Sequence, residues 1–312
     1  MALRIGMIAV GLLLMAVAGV LLGTLSLEQA MTRAWVMQDL RLSRVVIAIL
    51  AGSALGVAGA LTQGVIRNPL ASPDLIGVTA GASLAATATL LLFPQLAHAW
   101  LIPAAIVGGL VSLLILLWLA GDSKLNPTRL VLVGIALSFW FGALVDWLLS
   151  SQPQQINAAL VWLTGSLWGR GWSHVWILLP WLLVLLPAAF TLSLKLDLLA
   201  LGDESAQCLG TDVKRVRLLA LILAVTLAAV SVAVCGAISF IGLVAPHLAR
   251  LLVGGRHLLL MPTAALLGAA LLLLADITAR TLTPPIELPA GVLTAIIGAP
   301  YFIFLLLRYR GW

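Results

Sequence analysis

Few side chains in this sequence have the type and spacing that chemistry needs. Asp276 and Arg280 stand four residues apart, on one face of a helix, where they can pair. An isolated charge at mid-bilayer costs about 2.5–3.5 kcal/mol on insertion scales, so such a pair belongs near an interface. The four histidines, His98, His174, His247 and His257, are scattered, and no His-Glu-x2-His motif occurs. Ser83 follows Gly81-Ala82, but no histidine is placed to act as its base. Cys208 and Cys235 show neither metal-ligand spacing nor a disulfide framework. There is no Gly-x4-Gly-Lys-Ser/Thr phosphate loop, nor any Gly-Lys dipeptide. The chain therefore reads as no enzyme, with no metal and no bound cofactor of its own.

The elements that must position these groups are transmembrane helices. Hydrophobic residues make up 62% of the 312 and charged residues 9%, whereas soluble domains carry about 25% charged residues. Lipid can surround that much apolar surface; water cannot. Net charge is +6, but the charges lie between apolar runs and form no nucleic-acid patch. Arg4 precedes an apolar stretch from Ile5 to Leu27, longer than the roughly 7–15 residues of a signal-peptide core, so it reads as a retained first helix.

A helix needs about 20 apolar residues to cross the hydrocarbon layer. The charges delimit ten such spans. They are 5–25, 44–67, two between Asp74 and Asp122 broken at Phe93-Pro94-Gln95, 130–149, 175–194, 217–236, a short one at 245–255, 260–279 and 289–307. Gly236, Gly242 and Pro246 mark 237–246 as a broken, partly re-entrant piece. Irregular backbone at that depth requires cover by protein or a water-filled cavity. With both termini inside, 12 of the 17 Lys and Arg residues fall on the cytoplasmic side, as the positive-inside rule asks. Arg33, Arg41, Arg44, Arg170 and Arg280 fall outside. Trp100, Trp147, Trp168 and Trp172 lie near span ends, as interfacial anchors do, and Asp146 lies near the outer end of the fifth span.

Two connecting segments stand out. Residues 195–217 hold 8 of the 28 charged residues, and Gly202 and Gly210 punctuate them. They read as one or two short amphipathic helices on the cytoplasmic face, a docking surface for a partner. The other runs from Gly59 to Gly81. Pro69 and Pro73 forbid a continuous helix there, Asp74 can cap the next span, and small residues at 52, 56, 59 and 60 permit close helix packing.

Several motifs in order resemble one family. They are Arg41-Leu42-Ser43-Arg44; Gln63-Gly64 with Asn68-Pro69-Leu70-Ala71-Ser72-Pro73-Asp74; Leu201-Gly202-Asp203 with Leu209-Gly210; and Phe240-Ile241-Gly242-Leu243-Val244-Ala245-Pro246-His247. Ala275-Asp276 with Ala279-Arg280, and Glu287-Leu288-Pro289-Ala290-Gly291 with Gly298-Ala299-Pro300, complete the series. Over almost its whole length the chain resembles the FecCD family, the permease subunits of iron-siderophore and vitamin B12 ATP-binding-cassette importers. Within it, Trp162-Leu163-Thr164-Gly165-Ser166-Leu167-Trp168-Gly169-Arg170 is most similar to permeases of ferric dicitrate uptake.

The resemblance implies an all-α, polytopic permease domain over 1–312, of the vitamin B12 importer permease fold, in a bacterial inner membrane. It implies a second permease subunit, identical or paralogous, two cytoplasmic ATPase subunits that use the ATP, and a periplasmic binding protein that delivers an iron(III) chelate. Arg41, Arg44 and Arg280 fall on the family's outer docking arginines, which are expected as rim charges. Gly202, Asp203, Glu204, Ala206, Leu209 and Gly210 fall on its coupling helices, within the 195–217 segment. Asn126, Pro127 and Thr128 fall on its cytoplasmic gate, with Pro127 where some relatives have a hydroxyl residue. Ser43 replaces a usual proline and is expected to soften the start of span two. A haem or corrinoid permease of the same family is the alternative. An ion-coupled secondary transporter is the reading from another class; it would need buried coupling carboxylates, of which this sequence has few.

Overall fold

The protein is described by a computed structural model covering residues 2–23, 35–121, 127–153, 156–284 and 286–308. Among the described residues all regular structure is helical. The long helices are α1 (Ala2–Leu21), α2 (Ser43–Ile66), α4 (Ala97–Ala120), α5 (Pro127–Ser151), α7 (Trp172–Thr191), α10 (Val213–Cys235), α12 (His257–Thr281) and α13 (Ala290–Arg308). These eight are long and apolar enough to cross a membrane. Two shorter apolar helices, α3 (Val78–Leu92) and α11 (Ile241–Val253), complete the ten expected. Three short helices lie between them: α6 (Ile156–Leu163), α8 (Ser193–Ala200) and α9 (Asp203–Cys208).

Two helices form the centre. In α2 and α10 most residues are buried, whereas few residues of α1 are. Small residues set this arrangement. A Cβ at Gly52 or Gly56 would collide with the backbone carbonyls of Gly268 or Ala264 in α12, and one at Gly59 with that of Gly242 in α11. In lipid, backbone approach of this kind supplies the packing that hydrophobic exclusion cannot.

The helix ends divide into two sets. Arg44 opens α2 and Arg67 follows its end, so the 24 residues of α2 separate them by about 36 Å at 1.5 Å per residue. At the Arg67 end, Arg4 donates to the Leu252 carbonyl at 2.8 Å. At the Arg44 end, Arg280 donates to the Gly19 carbonyl at 2.7 Å. Arg41, Arg44, Arg170 and Arg280, all expected on one side, lie together at one end.

Three expectations change. The irregular stretch is shorter than 237–246: helix α11 begins at Ile241 and carries Pro246 within it. Neighbouring protein satisfies the backbone around a membrane proline. Only 236–240 is irregular, and protein covers it: the Ser166 N–H donates to the Cys235 carbonyl at 2.8 Å, and Phe240 packs against Gly298 of α13. The start of span two is not softened by Ser43. A π-helix (Val36–Leu42) runs directly into α2, and the Ser43 hydroxyl donates to the Asp39 carbonyl at 2.5 Å. Asp74 does not cap α3. It sits in a 3-10 turn (Pro73–Ile76) and accepts from the Thr79 hydroxyl at 2.5 Å, while Gly77 takes the cap position with φ +82°.

Candidate functional site

At the outer-predicted end, a cavity of about 280 Å³ brings together Arg41, Arg44, Arg280, Arg170, Glu287 and Trp168. Arg44 is the hub. Its Nε donates to Asp276 Oδ1 at 2.7 Å and its Nη1 to Glu287 Oε2 at 2.6 Å. Arg280 Nε lies 3.4 Å from Asp276 Oδ2, close enough for charge pairing but too poorly aligned to hydrogen-bond. The i, i+4 pair read from sequence is therefore present, and it belongs to a larger network. Arg41 sits on the π-helical turn and donates to the carbonyls of Leu21 at 2.8 Å and Val20 at 3.3 Å. Its charge thus closes the C-terminal end of α1, where unpaired carbonyls and the helix dipole favour a cation.

These arginines line the cavity and do not stand on its rim. Arg41, Arg44 and Arg280 are 5%, 8% and 2% exposed, and Asp276 is fully buried. Among the described residues, four arginines and two carboxylates, Asp276 and Glu287, meet at this cavity. Arg170, which the sequence reading left without a role, is one of the four. Its Nη1 lies 3.1 Å from His174 Nε2. Burial pulls the Arg170 guanidinium below its ordinary value, yet an arginine remains charged at neutral pH. Trp168 is largely exposed beside it. Glu287 was legible only as part of a motif; its pairing with Arg44 spans 243 positions and left no local signal.

At the opposite end, the 195–217 segment forms the two short helices expected, α8 and α9, before α10 begins. Gly202 and Gly210 adopt φ +109° and +79°, conformations that a side chain would strain. Three aspartates fasten the segment. Asp197 accepts from the His257 backbone N–H at 2.8 Å. Asp203 accepts from Arg217 at 2.7 Å and is also held by Arg67. Asp212 caps α10 by accepting from the Arg215 N–H at 3.0 Å. Ala206 is fully buried against the body. Leu201, Glu204, Leu209 and Gly210 are left facing outward. The predicted coupling residues thus separate into anchors (Asp203, Ala206), turn formers (Gly202, Gly210) and an exposed face (Glu204, Leu209).

Of the predicted gate, Asn126 lies outside the described residues. Pro127 occupies the first position of α5, where its missing N–H costs nothing, and Thr128 is exposed beside it. Among the described residues no cluster of His, Cys, Asp and Glu could hold a metal ion.

A sequence model of the FecCD transport family matches residues 3–308. The chain belongs to the FecCD transport family. It is 51% identical over 88% of its length to the Fe(3+) dicitrate transport system permease protein FecD of Escherichia coli, covering 86% of that protein. It is 49% identical to the Fe(3+)-citrate import system permease protein YfmE of Bacillus subtilis, over 87% of this chain and 82% of the relative. Among solved structures, a metal-chelate type ABC transporter in an inward-facing conformation superposes with a TM-score of 0.91 at 32% identity. That match covers 99% of this chain and 100% of the other. This FecCD chain is accordingly a multi-pass helical membrane protein of the transport-permease class.

Proposed function

We propose that this chain is the permease subunit of an ATP-binding-cassette importer that carries an iron(III) chelate inward across the bacterial inner membrane, with ferric dicitrate as the first candidate substrate. The observation that carries this reading is the 51% identity to the E. coli ferric dicitrate permease over 88% of the chain. Both termini are assigned to the cytoplasm, because the Arg67 end collects most of the Lys and Arg residues.

The division of labour follows from the two ends. The outer cavity, lined by Arg41, Arg44, Arg170 and Arg280, receives carboxylates of a periplasmic binding protein. Interface charges of this kind steer encounter and fix register. The exposed face of the coupling segment, Leu201, Glu204 and Leu209, sits on a cytoplasmic ATPase subunit. The chain has no phosphate loop and leaves ATP hydrolysis to that partner. A second permease, identical or paralogous, completes the pathway, with Pro127 and Thr128 at its cytoplasmic gate.

ATP-dependent uptake of radiolabelled ferric citrate into proteoliposomes tests the reading. The vesicles hold this chain, a partner permease, the ATPase and the binding protein. Uptake that requires every component is expected. Uptake of another chelate, but not ferric citrate, would replace the substrate and keep the class. No uptake of any chelate by an assembled complex would overturn the class.

A further inference from the structure

A second polar cavity, of about 360 Å³, opens among the inner ends of α2, α11 and α12. Its polar lining is Gln63, Arg67, Asn68, Arg250 and His257, with Gly64 as part of the wall. None of these residues belongs to the outer cavity; Arg67 and His257 also meet the 195–217 segment, through Asp203 and Asp197.

The lining has more donors than its neighbours can use. Among the described residues Arg250 has no carboxylate within ion-pair distance. Its one side-chain hydrogen bond to another side chain goes to Gln63 Oε1 at 3.4 Å, and its Nε is buried without a partner. Gln63 is itself 2% exposed and donates to the Leu243 carbonyl at 3.3 Å, which fixes its oxygen toward Arg250. An unneutralised guanidinium in such a site is costly unless an anion joins it.

His257 gives the second, independent sign. It is 3% exposed. Asp197 Oδ1 accepts from its Nδ1 at 2.7 Å, so Nδ1 carries the proton and Nε2 is the free nitrogen. Nε2 is buried and has no partner. It faces Gly64, where a Cβ would stand 2.8 Å from it. Glycine at this position keeps open the space in front of an unused ring nitrogen.

We propose that this cavity is an oxyanion site that takes a phosphate group. Arg250 and Arg67 supply the planar forks that match phosphate oxygens. His257 Nε2 accepts from a P–OH when the ring is neutral and donates to an oxygen when it is protonated. A carboxylate, with two oxygens and no proton at neutral pH, would leave part of this lining unused. The phosphate comes either free from the cytoplasm or as the phosphomonoester headgroup of phosphatidic acid; both keep a P–OH near neutral pH, so the chemistry of the site is the same for both. Because Arg67 is also held to Asp203, an occupied site would tie the membrane core to the coupling segment.

The test uses the full chain in nanodiscs of phosphatidylcholine, titrated calorimetrically with inorganic phosphate. Saturable binding of one phosphate per chain is expected, weakened at least tenfold by R250Q and by G64A. G64A leaves every charge in place, so it carries the test if R250Q does not fold. In a parallel arm, native mass spectrometry follows phosphatidic acid retained from mixed bilayers with phosphatidylcholine. Retention of one lipid by the wild type, lost in both variants, without binding of free phosphate, identifies the headgroup as the source and supports the site. A folded wild-type chain that holds neither ligand overturns the proposal, as does equal binding by wild type and G64A.

Discussion

Arg44 and Asp276 meet at 2.7 Å although 232 positions separate them in the chain. One opens α2 and the other lies near the end of the antiparallel α12. Both are buried, and Glu287 and Arg280 complete their charge. Removing one partner of a buried pair leaves the other uncompensated, which costs about 3–5 kcal/mol. Asp276→Ala is therefore expected to destabilise the protein by about that amount, because it takes the buried carboxylate from Arg280 and leaves Arg44 paired with Glu287 alone. Glu287→Gln should cost less, since the Glu287 side chain is 18% exposed and water can take its place. Thermal unfolding in detergent, read by loss of the monodisperse peak, measures both. Equal effects of the two variants would mean that burial does not control the network.

The same geometry governs charge reversal at Arg44. A glutamate there would set a third carboxylate against Asp276 and Glu287. Arg44→Glu is expected to fold poorly, whatever its effect on docking. Arg41→Glu is expected to be milder, because it leaves the Arg44–Asp276 and Arg44–Glu287 pairs in place. Membrane-integrated yield of the two single variants checks the order.

Packing at the centre predicts a sharper result. A Cβ at Gly59 would fall inside the Gly242 carbonyl, and both are backbone that cannot rotate away. Overpacking in a well-filled interior costs about 1–3 kcal/mol even when side chains can adjust. Gly59→Val should exceed that range. Gly142, whose Cβ would meet nothing within 4 Å, is the control, and Gly142→Ala should leave stability unchanged within about 0.5 kcal/mol. Both are read by the same unfolding measurement.

The spans were legible because charge is excluded from lipid. The window from Asp74 to Asp122 had to hold two helices, and Pro94 fell in the loop between them. The short helices of 195–217 were legible from Gly202 and Gly210, which end α8 and α9. What could not be read was anything that depends on a distant partner. Arg41, Arg44 and Arg280 are polar by type, and nothing local signals that they are buried. Asp203 looked like one more exposed charge of the coupling segment, yet Arg67 and Arg217 reach it from α2 and α10. Phe240 adopts φ +69°, where glycine is usual. It stands between α10 and α11, packed against Gly298. The short α11 is placed from Gly236, Gly242 and Pro246 and not from 20 apolar residues, and its start at Ile241 escapes that reading because Pro246 lies within the helix and does not break it.

The coupling segment yields a prediction that separates anchoring from contact. Leu209 is 59% exposed. Leu209→Glu should leave the fold intact and lower chelate uptake by reconstituted complexes at least tenfold, about 1.4 kcal/mol of lost coupling. Asp203→Asn should act differently. It keeps an acceptor but loses the charge that holds Arg67 and Arg217, so the segment loosens and thermal stability falls as well. Parallel measurements of uptake, ATPase rate and unfolding separate the two. Normal uptake by Leu209→Glu would move the ATPase contact to another surface.

At the outer end, Arg170 is the arginine that can be altered without opening the Arg44–Asp276 network. Arg170→Glu lowers the charge of the cavity by two units and leaves every ion pair described there in place. If the cavity receives carboxylates of the binding protein, the loss falls mainly on the rate of encounter, because interface charges act first through steering. Association with the binding protein, followed by biolayer interferometry at low salt, should slow by about tenfold or more. The difference between wild type and variant should shrink as salt rises, since the screening length falls from about 10 Å at 0.1 M to about 3 Å at 1 M. A variant with an unchanged association rate and unchanged salt dependence would place the docking surface elsewhere. The arginine charge of the cavity would then be left to act on the chelate itself.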